Sequence, residues 1–128
     1  MRRLSVSSFV SPGPLTLILA APDGLGSGIS ADNGTVGVRV PAHAVARALC
    51  EVSGRLVTAT SANRSGEPPS EDPGVVWRTL ADRLDLLLDA GPAPGGPPST
   101  IVDVSGVTAR MIREGAIRWE AIAPWIDE

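Results

Sequence analysis

Short apolar runs, each closed off by glycine, proline or small polar residues, constrain this chain more than any other feature. Pro12-Gly13-Pro14 leads into Leu15-Thr16-Leu17-Ile18-Leu19. A loop over 22–34, with Gly24, Gly26, Gly28 and Gly34, then separates that run from Val36-Gly37-Val38-Arg39-Val40. Runs of this length, rich in Val, Leu and Ile and bounded by such breakers, are strand signals. Leu56 to Thr60, Leu86 to Leu88, Ser99 to Val104 and Ala109 to Arg113 repeat the pattern, the last two joined by a Ser105-Gly106 turn. Helical spacing lies between them. Ala42, Val45, Ala46, Leu49 and Cys50 share one face, and Asp72-Pro73 opens a second helix marked by Val76, Leu80 and Leu84. Trp119, Ile122, Ala123 and Ile126 predict a closing helix over 118–126. Strands alternating with helices and ending in a hairpin predict an α/β (α+β) fold, a sheet covered by helices. The 128 residues suit one domain, with no repeat or internal boundary in the pattern.

Composition narrows the partners. The net charge is −3, all 11 basic residues are arginine, and no basic run occurs. A protein that coats nucleic acid through its phosphates normally shows a basic excess. One cysteine excludes an intrachain disulfide, and one Cys with one His is too few for a structural zinc site. The helical position of Cys50 predicts a buried thiol. The longest apolar run, Leu15 to Ala21, is too short to span a bilayer. Met1-Arg2-Arg3 followed by Leu4-Ser5-Val6 lacks the apolar region of a secretion signal. A cytoplasmic protein without membrane contact is therefore the expectation.

The chemistry concentrates in Thr58-Ala59-Thr60-Ser61-Ala62-Asn63-Arg64-Ser65-Gly66, at the end of the third apolar run. In extended backbone Ser61 and Asn63 share a face and can grip one ligand group. The same residue types also serve merely to turn a chain, and the spacing does not choose between these roles. Gly95-Gly96-Pro97-Pro98-Ser99-Thr100 offers backbone N–H groups beside two hydroxyls, a weak anion-nest pattern that reads first as a turn. It is not a P-loop. Arg39 within a strand and Arg113 at a strand end face either solvent or an anionic ligand. His43 heads a helix. No Ser/His/Asp set and no carboxylate pair stands out.

Taken together, SPGPLTLIL, VGVRVP, TATSANRSG, LLLDAGPAPGGPPSTIVDVSG and RMIREGAI occur in the order and approximate spacing of the YrdC-like family, from about Ser11 to Ile117. On this resemblance the chain is identified as a member of the family that includes the threonylcarbamoyl-AMP synthases. The resemblance implies a twisted open mixed sheet flanked by helices. It also implies condensation of L-threonine, bicarbonate and ATP, normally with Mg²⁺, into threonylcarbamoyl-adenylate, with pyrophosphate released. Downstream tRNA-modification proteins use that product on the adenosine beside the anticodon. Position by position, Ser61 and Asn63 match the family's Ser-x-Asn motif at the ATP phosphates. Thr35, Pro69 and Arg113 match nucleotide contacts, and Arg39, Ala59 and Ser99 match positions around threonine.

The chain also departs from the family pattern. The family's Pro-Thr-(Asp/Glu)-(Thr/Ala)-Val-(Tyr/Phe)-Gly stretch and Lys-x-Arg motif are absent, no lysine occurs anywhere, and Ser11 replaces the usual Trp before Pro-Gly-Pro. A partial, N-terminally truncated domain, inactive alone and prone to dimerise through uncovered strand edges, is the expectation. An RNA-binding module without catalysis, or an inactive homologue, is the alternative.

Overall fold

The computed structural model describes residues 12–26 and 28–126; Met1-Arg2-Arg3 and Ser11, both read above, lie outside them. The chain divides into two compact units, Met1–Arg55 with Pro97–Glu128, and Leu56–Gly96.

The first unit is built on a mixed sheet of order β2-β1-β3-β4. Its strands are β1 (Leu15–Ala20), β2 (Thr35–Arg39), β3 (Thr100–Asp103) and β4 (Arg110–Arg113). β1 pairs antiparallel with β2 and parallel with β3, and β3 and β4 form the expected antiparallel hairpin. Alternation sorts the side chains onto two faces. Leu15 and Leu17 of β1 stand opposite Thr100 and Val102 of β3. On this face Leu15 and Val102 form the core with Ile122 and Ile126. Leu17, Val104, Ala109, Met111, Ile117 and Trp119 pack around them, half-buried. Ile122 belongs to the short helix α3 (Trp119–Ile122), which a 3₁₀ turn extends over Ala123–Trp125. Each such aliphatic side chain removed from water contributes about 1.5–3 kcal/mol, so four of them hold the closing helix onto the sheet.

Helix α1 (Ala44–Ser53) starts after His43, as the sequence predicts, and ends at Gly54 in the left-handed region (φ 62°). It buries none of its residues. Cys50 is therefore half-buried rather than the buried thiol its helical position suggested. An apolar stripe predicts which face of a helix will be covered, not how deeply.

In the second unit, Asp72 caps helix α2 (Pro73–Leu80) by accepting from the Gly74 amide at 2.7 Å, with Pro73 in the first turn and Val76 buried. The helix stops at Leu80, and Ala81–Arg83 tighten into a 3₁₀ turn before reaching Leu84. Two expected strands are corrected here. Residues 56–60 and 86–88 are irregular, and Leu56 and Leu86 are 93% and 71% exposed. A strand exists only with a ladder partner, and among the described residues neither segment has one.

Candidate functional site

The sheet face opposite the core carries Thr16, Arg39, Asp103, Arg110 and Arg113. Cross-strand register aligns Arg39 with Thr16, Thr16 with Ile101, and Ile101 with Arg113. Directly paired residues share a face, so these four form one row across all four strands. Two arginines mark its ends, their backbones on the order of 14 Å apart at a strand spacing of ~4.8 Å, and both reach inward, Arg39 to the Gly13 carbonyl and Arg113 to that of Ser99. The next row along is Gly37, Ile18, Asp103 and Arg110.

Arg113 reaches this face because β4 is irregular. Met111 pairs with Val102 and packs on the core, whereas Arg113 pairs with Ile101, so Ile112 is an extra residue between them. Strict alternation would put Met111 and Arg113 on the same side. The bulge re-aims the arginine.

Ser99, just before β3, joins this row through its hydroxyl. Ser99 Oγ lies 2.9 Å from Thr16 Oγ1. Arg113 donates from Nε (3.2 Å) and Nη2 (2.8 Å) to the Ser99 carbonyl, with Nη2 also 3.4 Å from Ser99 Oγ. At the other end, Arg39 Nε donates to the Gly13 carbonyl at 2.9 Å, and its terminal nitrogens have no partner among the described residues. Thr35 begins β2 opposite Ala20 on the same face as Arg39 and Gly37; its hydroxyl donates to Asn33 Oδ1 at 2.8 Å. Gly37 leaves the floor low between Thr35 and Arg39: a Cβ there would only touch the Thr16 methyl.

Asp103 in the second row accepts from the Ser105 hydroxyl at 2.6 Å, the Ser105 amide at 2.9 Å and Arg110 Nη2 at 3.0 Å. These bonds, the Ser105 hydroxyl foremost, hold its carboxyl below the ordinary value of 3.8. The charge they stabilise also pairs Arg110, leaving Arg39 and Arg113 as the unpaired cations of these two rows.

The second unit carries Ala59, Ser61, Asn63 and Pro69. Ala59, Ser61 and Pro69 are exposed, and Asn63 is half-buried. Ser61 and Asn63 do not lie on an extended strand, because the segment bends after residue 61. Asn63 Nδ2 donates to the carbonyls of Arg64 at 3.0 Å and Glu67 at 2.8 Å, which fixes its amide orientation. Its Oδ1 is sealed from solvent with no partner. The residue borders a pocket of about 170 Å³, walled by Ala62, Pro68, Val75 and Val76 with Ser70 and Thr79. To meet a phosphate, the Asn63 amide would have to release a carbonyl, since its oxygen can only accept. Arg64 pins the same loop to the end of α2 by donating to the Thr79 carbonyl and to Asp82, both at 3.0 Å.

Sequence reasoning missed Thr16 and Arg64. Thr16 had a visible signal as the one polar residue of the Leu15–Leu19 run; the partner of Arg64, at the far end of α2, left none. Among the described residues no three His, Cys, Asp or Glu side chains gather as a metal cage. No helix among them is long and apolar enough to cross a membrane.

Comparison with known proteins gives this geometry its context. The family model described as telomere recombination, Sua5/YciO/YrdC, matches residues 2–115. The threonylcarbamoyl-AMP synthase of Bacillus subtilis is 38% identical over 112 residues, 87% of this chain and 32% of that protein. Its Pyrococcus abyssi counterpart is 34% identical over 117 residues, 91% of this chain and 34% of that one. Among solved structures, P. abyssi Sua5 complexed with L-threonine aligns with a TM-score of 0.80 at 34% identity, covering 92% of this chain and 35% of that one. E. coli YciO aligns with a TM-score of 0.74 at 28% identity, covering 90% and 55%. The chain spans about half the length, or less, of the curated relatives it matches.

Proposed function

The chain belongs to the Sua5/YciO/YrdC family, and from that premise we propose that its open sheet face serves the formation of threonylcarbamoyl-adenylate. The observation that carries the proposal is the row Arg39–Thr16–Ile101–Arg113 with the Ser99 hydroxyl beside it. The reaction joins several anions. The threonine amine takes up the carbon of bicarbonate to give a carbamate, with loss of water. A carbamate oxygen then attacks the α-phosphorus of ATP, the new P–O bond forms, and pyrophosphate leaves with the electrons of the old one. Cations must hold these groups together while negative charge gathers at the α-phosphate.

Arg39 suits the threonine carboxylate, because its terminal nitrogens, without a partner among the described residues, can form a bidentate fork to a carboxylate. Arg113 suits the nucleotide phosphates. Its grip on the Ser99 carbonyl sets its direction before any ligand arrives, and preorganised donors cost no rearrangement at the moment of reaction. Ser99 supplies a hydroxyl for threonine. Thr35 can turn its hydroxyl from Asn33 to the nucleotide. For Ala59, Ser61 and Pro69 the support is the family resemblance alone, and Asn63 contributes first by holding the loop that carries Ser61. Mg²⁺ fits as a companion of the ATP phosphates rather than a resident of the protein, because a carboxylate cage is lacking among the described residues.

Calorimetric titration of the chain with L-threonine and with ATP tests the assignment separately from turnover. Arg39→Ala should abolish threonine binding while sparing ATP, and Arg113→Ala should do the reverse. Binding of both ligands unchanged in both variants, or binding of neither by the unsubstituted chain, defeats it.

A further inference from the structure

We propose that Thr16 is a positioning residue for this site: its hydroxyl fixes the rotamer and proton direction of the Ser99 hydroxyl. The inference rests on the reading of Ser99 as a threonine contact. Ser99 needs such a support. It follows the loop Gly95-Gly96-Pro97-Pro98, where Gly95 and Gly96 hold φ of 62° and 95°, and it stands one residue short of β3. A serine hydroxyl in that position rotates among three staggered wells unless something holds it.

Thr16 is suited to the holding role. It lies on β1, an interior strand paired on both sides, with Arg39 on β2 and Ile101 on β3 as its neighbours. Its β-branched side chain is stiff at χ1. The ladder bonds use only its backbone, and its hydroxyl oxygen sits 2.9 Å from Ser99 Oγ. Arg113 Nη2 approaches the same oxygen at 3.4 Å. A hydroxyl has one proton and two lone pairs, so a Ser99 oxygen facing the guanidinium and held by Thr16 keeps one direction for the ligand. The stiff strand thereby orders the end of a Gly/Pro loop. Thr16 itself need not touch threonine.

The test compares Thr16→Val, which removes the hydroxyl at nearly constant shape, with Thr16→Ser, which keeps it. Two readouts are taken on the full chain: Hα–Hβ couplings of Ser99 by NMR, and the dissociation constant for L-threonine. The expected result is a single Ser99 rotamer in the unsubstituted chain and in T16S, rotamer averaging in T16V, and about a tenfold weaker threonine affinity in T16V that T16S restores. A purely structural role for Thr16 would shift the thermal midpoint without this split. Unchanged Ser99 couplings in T16V overturn the proposal whether or not threonine binds. Equal threonine affinity in T16V and the unsubstituted chain overturns it as well. Averaged couplings in T16V together with no threonine binding by the unsubstituted chain support the positioning of Ser99 and overturn the reading of the site instead.

Discussion

Thr100 and Ile117 are joined twice through one hydroxyl: Thr100 Oγ1 donates to the Ile117 carbonyl at 2.6 Å and accepts from the Ile117 amide at 2.9 Å. The same oxygen accepts from the Gly115 amide at 3.0 Å. Thr100 is fully buried, and its one proton and two lone pairs are all used. The first residue of β3 is thus tied to the loop that leaves β4 just after Arg113.

Replacing Thr100 with valine should therefore be costly although the shape barely changes. Each backbone group left dry and unpaired costs about 1–3 kcal/mol. Urea unfolding should show T100V clearly destabilised and T100S much less so. Equal midpoints for the two variants would mean that the hydroxyl bonds do not matter to the fold.

Some of this architecture was legible beforehand and some could not be. Asp72-Pro73, the Leu15 run and the 99–113 hairpin announced themselves because capping and alternation are local. The apolar runs at 56–60 and 86–88 looked alike, yet a strand depends on a partner that no local pattern reveals. Arg113 was recognisable as a candidate, but its face was not. The extra residue at Ile112 reverses the alternation, and nothing in Arg110-Met111-Ile112-Arg113 marks it. The pairing of Thr16 with Ser99 spans most of the chain and follows only from the parallel register of β1 and β3.

Gly115 is required for a different reason from the left-handed glycines. A Cβ at this position would overlap the Pro98 carbonyl and the Ser99 backbone. Gly115→Ala should push the Arg113 loop away from Ser99, costing about 1–3 kcal/mol as overpacking does, and should weaken ATP binding along with stability. Gly106→Ala is the control, since its Cβ would meet nothing within 4 Å. It should stay within about 0.5 kcal/mol of the unsubstituted chain. Chemical unfolding of both variants checks the contrast.

Asn63→Asp should loosen the loop over 61–67. The substitution replaces a donor shared by the Arg64 and Glu67 carbonyls with an acceptor that faces two other acceptors, a loss on the order of 1–3 kcal/mol. Limited proteolysis should cut the variant faster in this segment, and acidification, which restores a proton to the carboxyl, should slow the cutting again. Identical cleavage rates would show that the two bonds do not hold the loop.

Stability should also depend on pH through Asp103. Its carboxyl is held below 3.8, first by the Ser105 hydroxyl, then by the Ser105 amide, then by Arg110. A carboxyl whose folded value lies below its unfolded one contributes stability that is fully present above the unfolded value. That contribution is lost as the pH falls through the folded one. In the window just below 3.8 the unfolded chain binds the proton more readily than the folded chain, so acid pulls toward unfolding. Asp103→Asn removes this component. The gap in urea midpoint between the unsubstituted chain and D103N should be widest at neutral pH and should close under acid. Ser105→Ala removes the first cause alone, so an NMR titration should find the Asp103 carboxyl moved up toward its ordinary value. An Asp103 titration curve that does not move in S105A would assign the lowering to the residue-105 amide and Arg110 instead.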